Sequence, residues 1–131
     1  MVYKLHPGET ADWRSRLPWL AASPLDVVGH QQSIYELFAY ASAQLGVYST
    51  ALFEGVAFGL RTYVATLPGH EALDVLVARG YARRVSRENL IEQVSTGGAP
   101  ALDEGLRAEL WKPAARENFR AVLRGVLDCS G

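Results

Sequence analysis

The 131-residue chain has a single cysteine, no long apolar run and no excess of charge of either sign. Cys129 has no second cysteine with which to form an internal disulfide, which indicates a reducing compartment, and we expect a cytoplasmic location. No segment approaches the roughly 20 apolar residues of a membrane-spanning helix. The chain has 13 basic and 14 acidic residues, so it has no excess of positive charge to neutralise a nucleic-acid phosphate backbone. We therefore expect no nucleic-acid partner.

Complete catalytic and metal-binding motifs are also missing. Ser49 is not part of a Gly-x-Ser-x-Gly elbow, and no Gly-x-Gly-x-x-Gly or Walker pattern follows a predicted strand. His6 stands where the first predicted strand ends, and His30 and His70 lie on loops that follow two others, which raises the hypothesis of a metal site. No His-x-x-x-His or cysteine pair has ligand spacing, however, so we predict neither a metal site nor a catalytic residue in this chain.

Hydrophobic residues make up 49% of the chain and charged residues 21%, a composition typical of a globular protein. Short β-rich runs alternate with segments of helical periodicity. This alternation predicts a three-layer, Rossmann-like α/β domain, with a parallel sheet of about five strands and helices on both faces. The predicted strands are 2–6, 25–28, 44–47, 62–65 and 81–85, and the predicted helices are 9–17, 34–42, 51–58, 71–79, 87–94 and 113–128.

Residues 43–59 are the stretch around which the predicted site is organised. They are interpreted as a buried strand, a turn and a helix, and ligands of open parallel sheets bind where such strands end. Ser49 and Thr50 supply hydroxyl donors suited to a phosphate, and Glu54, one helical turn later, is suited to a sugar diol. A structural alternative stays open, because serine and threonine are the commonest helix caps.

Two further loops carry polar residues at the ends of predicted strands. Lys4 and His6 alternate on the first strand, so they share a face, and His6 either donates to a phosphate or caps a turn. Gly29, His30 and Gln31 follow the second strand. Because the chain begins within a strand, we expect it to be a piece of a longer protein.

Two of these segments together resemble a known family. Residues 3–9, with Lys4, His6-Pro7 and Glu9, resemble the K-x-H-P-x-E strand end in the C-terminal half of GT-B glycosyltransferases that build bacterial capsules and surface polysaccharides. Residues 46–54 resemble the second motif of that half, a Ser/Thr pair that opens a helix. Bacterial sialyltransferases, Kdo-type capsule transferases and teichoic-acid glycerophosphotransferases share this pattern, and the resemblance extends over residues 2–94.

The resemblance implies a role for each segment. His6, Ser49 and Thr50, with Lys4, would contact the phosphate of a nucleotide-sugar donor, Glu54 would hold the ribose, and residues 29–31 would lie near the base. The donor is a substrate, and no cofactor is implied. The general base would come from an N-terminal half absent from this chain, so the single domain 1–131 would be inactive alone. Peripheral membrane association, at the inner face of the membrane, would occur only through the full-length protein.

Two other functions stay open at this point. One is a free-standing α/β binding or regulatory module of the flavodoxin-like or receiver type, although Lys4 and His6 occupy the first strand end where a receiver needs acidic residues. The other is half of a nucleotide-sugar epimerase, which shares the two-domain architecture and also uses glutamate and histidine at its cleft.

Overall fold

The structure is a computed structural model, and it describes residues 1–6, 8–9 and 12–97 together with positions 108, 111, 113–114, 117–118 and 120–121. The chain divides into two compact units, Met1–Ala41 and Ser42–Gly131. The predicted helix 113–128 and the loop after Gly97 lie outside the described residues, apart from these isolated positions.

The first unit contains two strands and three helices. They are β1 (Val2–Lys4), α1 (Trp13–Arg16), α2 (Pro18–Ala21), β2 (Asp26–Val28) and α3 (Ile34–Tyr40). Strands β1 and β2 pair in parallel, with Lys4 opposite Val28. The core of this unit consists of buried Leu5, Trp13 and Leu20, and half-buried residues of the strands and the connecting segments pack against it, namely Tyr3, Leu17, Leu25 and Val27.

The first helix starts later than predicted but is interrupted where predicted. The helix expected from residue 9 begins only at Trp13. The predicted interruption at Pro18 is confirmed, because Leu17 before it is non-helical, with φ −123° and ψ 62°, and Pro18 is the first residue of a new helix, α2. Proline is well placed there, because the first residue of a helix has no intrahelical partner for its N–H. The predicted cap at Ser33 is confirmed as a full capping box with Glu36.

The described part of the second unit is a parallel three-stranded sheet with helices on both faces. Its elements are β3 (Ala43–Gly46), α4 (Ala51–Ala57), β4 (Arg61–Ala65), a 3₁₀ turn (His70–Leu73) that leads into α5 (Asp74–Ala78), β5 (Ala82–Val85) and α6 (Leu90–Ser95). The strand order is β3-β4-β5. The predicted burial of β4 is confirmed, because Thr62, Tyr63 and Val64 are almost fully buried.

Alternation along β4 builds the two faces of this sheet. Val64 packs in a core with residues of α4 and α5, including Leu52, Val56 and Leu76. Tyr63, which points to the other face, packs with Leu90 of α6. The second unit therefore has the three-layer, Rossmann-like α/β arrangement that the sequence predicts.

All five predicted strands are present, but their hydrogen bonds divide them between two sheets rather than one. β1 pairs with β2, and β3 pairs with β4, which pairs with β5. Hydrophobic patterning identifies extended segments, but it does not specify which of them exchange backbone hydrogen bonds. The prediction that β3 is buried is wrong within the described residues, since β3 lies at a sheet edge and Leu45 is 49% exposed.

The ends of α4 and α5 in the second unit follow the sequence signals, whereas the starts of α5 and α6 differ from them. The helix predicted from Glu71 begins with the 3₁₀ turn, and α5 starts at Asp74. Gly59 and Gly80, predicted as stops after α4 and α5, have φ of 79° and 76°, a conformation that favours glycine. Ser86 was expected to cap a helix from residue 87, but α6 begins at Leu90. The Asn89 side chain accepts a hydrogen bond from the Ser86 N–H at 2.8 Å, which stabilises a turn before the helix.

Candidate functional site

The predicted site residues fall into two groups, one in each unit. Lys4, His6 and the segment 29–31 belong to the first unit, whereas Ser49, Thr50 and Glu54 belong to the second. A shared pocket formed by both groups stays a prediction. Each group has a defined local geometry of its own.

In the first unit the ends of β1 and β2 are joined by a side chain. The Lys4 ammonium donates a hydrogen bond to the carbonyl oxygen of Gly29. Gln31 folds back over Gly29, because a Cβ built on Gly29 would lie 2.9 Å from the Gln31 Oε1. His30 is exposed beside them. The structure thus brings Lys4, Gly29 and Gln31 together, as expected from parallel strands that end at the same edge.

His6 forms a compact turn with the residues that follow it. Its carbonyl oxygen accepts from the Glu9 N–H at 2.8 Å, and its own N–H donates to the Glu9 carboxylate. The imidazole Nδ1 accepts from the Gly8 N–H at 3.0 Å. An accepting Nδ1 carries no proton, so a neutral ring has its proton on Nε2. The turn-capping role considered for His6 is therefore present, and the exposed ring keeps one donor.

In the second unit Ser49 and Thr50 connect the carboxyl end of β3 to α4. The Ser49 Oγ accepts from the Ala51 N–H at 3.3 Å, and the Ser49 carbonyl accepts from the Leu52 N–H at 3.1 Å. Thr50 is the N-cap residue of α4, but its side chain makes no capping hydrogen bond. Both side chains are exposed. Capping explains Ser49 in part, whereas it leaves the Thr50 hydroxyl unexplained.

Glu54 lies four residues after Thr50 on α4, as predicted, and it is half-buried. Its carboxylate accepts no hydrogen bond from the part of the chain that the structure describes. A carboxylate in that state is able to accept from hydroxyl groups of a ligand.

The loop after β4 lies against the loop after β3. A Cβ built on Gly69 would be 3.1 Å from Cδ1 of Tyr48, so the tyrosine ring rests directly on the glycine backbone. Tyr48 remains 65% exposed. The contact places Ser49 and Thr50 beside the segment 66–70, which is the neighbouring loop at the carboxyl edge of the sheet.

A small charged cluster follows Gly69. The His70 side chain is 16% exposed, and its Nδ1 lies 3.8 Å from the Asp74 Oδ1, beyond hydrogen-bond distance. The Arg84 guanidinium forms an ion pair with that same Asp74 carboxylate. Across the described residues, no group of three or more metal-ligating side chains is close enough to hold a metal ion.

The loop after β5 carries one perturbed acid. The hydrogen bond from the Ser86 side chain, with a further one from backbone, holds the pKa of Glu88 below its ordinary value. Hydrogen bonds to a carboxylate favour its charged form. Glu88 is therefore ionised at neutral pH, at the same sheet edge as Ser49 and Thr50.

Compared with known proteins, the chain matches no family model, no curated protein and no solved structure. None of the helices in the described ranges combines the length and apolar character needed to cross a lipid bilayer. What can be concluded about function therefore depends on the residues and geometry above.

Sequence reasoning placed Ser49, Thr50 and Glu54 correctly on their elements, but it missed Tyr48 and Gly69 as partners. Pro68-Gly69 is a turn signal, and this was visible in the sequence. The sequence did not show that Tyr48 covers this turn, because Tyr48 and Gly69 are 21 positions apart in the chain.

Proposed function

We propose that this chain is the donor-binding half of a GT-B glycosyltransferase that acts in bacterial capsule or surface polysaccharide biosynthesis. The observation that supports this best is the exposed hydroxyl pair of Ser49 and Thr50 at the carboxyl end of a parallel strand, beside the loop that contains Gly69. Ligands of open α/β sheets bind at that edge. The nucleotide-sugar donor is the substrate, and no cofactor is required.

The chemistry of sugar transfer explains why hydroxyl donors belong there. As the glycosidic bond to the nucleotide breaks, negative charge accumulates on the departing phosphate, and donors already aimed at it stabilise the transition state. Ser49 and Thr50 supply such donors. Glu54, whose carboxylate has no partner in the described ranges, accepts from the hydroxyl groups of the ribose.

The first-unit residues have a corresponding role in the proposal. His6 offers its Nε2 as a donor to a phosphate of the nucleotide sugar, since its Nδ1 is engaged with Gly8. Lys4 holds the ends of β1 and β2 together through Gly29 and adds positive charge. Gly29, His30 and Gln31, which the family resemblance assigns to the base, lie beside Lys4 in the first unit.

The proposed protein is an enzyme only when it is whole. The acceptor site and the general base belong to an N-terminal half, so the isolated chain binds donor without transferring sugar. We place the full-length protein in the cytoplasm, at the inner face of the membrane where its polymer is built.

The direct test is a nucleotide titration. CMP, CDP, UDP and GDP are added to the ¹⁵N-labelled chain, and the amide shifts of Ser49, Thr50 and Gly69 are followed. We expect one nucleotide to shift these signals at up to millimolar concentration. Replacing both hydroxyls, Ser49→Ala with Thr50→Ala, should weaken that binding by roughly 1–3 kcal/mol.

Thr96→Ala is the matched control for this variant. Thr96 is also exposed and ends α6, and the next residue, Gly97, lies near Arg61 at the opposite, amino end of β4. Its loss should leave nucleotide binding unchanged. If no nucleotide shifts the second-unit signals, the proposal is wrong. If the double variant binds normally per folded molecule, Ser49 only caps the helix.

A further inference from the structure

The strongest unexplained feature of the carboxyl edge is an exposed aromatic ring that contacts the neighbouring loop. Tyr48 is 65% exposed, yet its Cβ, Cγ and Cδ1 atoms lie against Gly69. Tyrosine offers a flat surface with few rotatable bonds, which makes it suited to planar ligands. The residue lies directly before the hydroxyl pair.

Gly69 is the residue that permits this arrangement. Its φ is 96°, in the region that side chains with a Cβ rarely adopt, and an added Cβ would lie 3.1 Å from Tyr48 Cδ1. Any larger residue there would press on the ring. Both the backbone conformation and the ring position therefore depend on glycine.

We propose that Tyr48 is the stacking surface for the nucleobase of the nucleotide whose phosphate meets Ser49 and Thr50. This inference rests on the proposed function and makes it more specific. Consecutive Cα atoms are about 3.8 Å apart, so those of Tyr48 and Thr50 lie within about 7.6 Å, comparable to the span of one nucleotide. One loop then holds base and phosphate together.

The inference changes where the base is recognised. The family resemblance places it near residues 29–31 of the first unit, whereas Tyr48 belongs to the second. Stacking on an aromatic face is tolerant of base identity, because every base presents a π-face. Tyr48 thus contributes affinity, and selection among bases requires other contacts.

The test compares nucleotides with a ligand that lacks the base. CMP, UMP and GMP are titrated beside ribose 5-phosphate, and the base protons are observed by NMR. We expect upfield shifts of the base protons and weaker binding of ribose 5-phosphate. Tyr48→Ala should weaken binding of the nucleotides roughly 5- to 150-fold, the usual range for loss of one base–aromatic stack, and abolish the upfield shifts.

Two further variants isolate the ring. Tyr48→Phe keeps the flat surface and should bind within about twofold of the parent chain, as sequence-tolerant stacking requires. Tyr40→Ala removes a tyrosine that is 90% exposed elsewhere, on α3, and should leave binding unchanged. Weaker nucleotide binding by Tyr48→Ala, with unchanged binding by Tyr48→Phe and Tyr40→Ala, supports stacking of the base on Tyr48.

The glycine offers an independent comparison. Gly69→Ala and Gly80→Ala both place a side chain at positive φ, but only the Cβ at position 69 meets Tyr48, since nothing lies within 4 Å at position 80. We expect Gly69→Ala to weaken nucleotide binding per folded molecule and Gly80→Ala to leave it unchanged.

The failures of the two proposals are distinguishable. If nucleotides shift Ser49 and Thr50 but Tyr48→Ala binds them as tightly as the parent chain, the stacking inference is overturned and the donor-site proposal stands. If ribose 5-phosphate binds as tightly as CMP, UMP and GMP, the inference is likewise overturned. If no nucleotide binds, both proposals fail.

Discussion

Gly55 of α4 is packed against the sheet of the second unit, and it gives the sharpest test of the packing. A Cβ added to this buried glycine would overlap the side-chain amide of Gln44 on β3. The Gln44 Nε2 donates to the Leu52 carbonyl at 2.8 Å and to the Thr62 hydroxyl at 2.7 Å. Gly55→Ala therefore requires Gln44 to move away from both partners.

Two opposing effects set the size of the change. Alanine in a helix interior is favoured over glycine by about 1 kcal/mol. Displacing Gln44 loses two hydrogen bonds of about 1 kcal/mol each, and overpacking adds roughly 1–3 kcal/mol where the neighbours cannot yield. We expect Gly55→Ala to lower the free energy of unfolding by about 1 kcal/mol if Gln44 moves aside without strain, and by up to about 4 kcal/mol if its neighbours do not yield.

In a double-mutant cycle, the effect of Gly55→Ala on the free energy of unfolding should have opposite signs in the parent chain and in the Gln44→Ala variant. When Gln44→Ala has already removed the obstructing amide, Gly55→Ala should stabilise the second unit by up to about 1 kcal/mol through helix propensity alone. Urea unfolding should be followed through the amide signal of Val64 in β4. Tryptophan fluorescence is unsuitable, because it mixes signals from both units: Trp13 and Trp19 belong to the first unit and Trp111 to the second. Equal destabilisation in both backgrounds would refute the proposed contact.

Three further predictions concern helix ends and one acid. Ser33→Ala removes the capping box of α3 and should lower the free energy of unfolding of the first unit by about 1 kcal/mol, measured by urea denaturation; no change would contradict the cap. Gly80→Ala forces a side chain to φ near 76° and should cost about 1–2 kcal/mol in the second unit, with Ala78→Gly as a control of normal helical φ. Ser86→Ala should raise the pKa of Glu88 toward its ordinary value, observed by carboxyl ¹³C NMR. Because the folded-state pKa is lowered, the stabilisation it brings is present at neutral pH and is lost as the pH falls through that pKa.

The local architecture of the candidate site was predictable because its signals are local. Ser49 and Thr50 follow a β-rich run and precede a segment of helical period, so their place between β3 and α4 followed from neighbouring residues. Glu54 was placed one turn further by the same periodicity. Capping by Ser33 and the helix stops at Gly59 and Gly80 are also properties of a few adjacent positions.

Contacts between distant segments required the tertiary structure. The division of five strands between two sheets, the exposure of Leu45 and the overlap of Gln44 with Gly55 all depend on which segments become neighbours. The sequence left open whether His6 caps a turn or donates to a phosphate. Only the atomic geometry shows that its Nδ1 accepts a hydrogen bond from the Gly8 N–H.

The sequence by itself determined where the five strands and, apart from α2, the described helices lie, because hydrophobic period, caps and turn residues act over three or four positions. Only the tertiary structure decided that Tyr48 rests on Gly69, because that contact joins two loops through packing between strands. The pattern of apolar and polar residues sets the local conformation. Contacts between distant segments depend on how all the helices and strands pack together to bury their apolar faces.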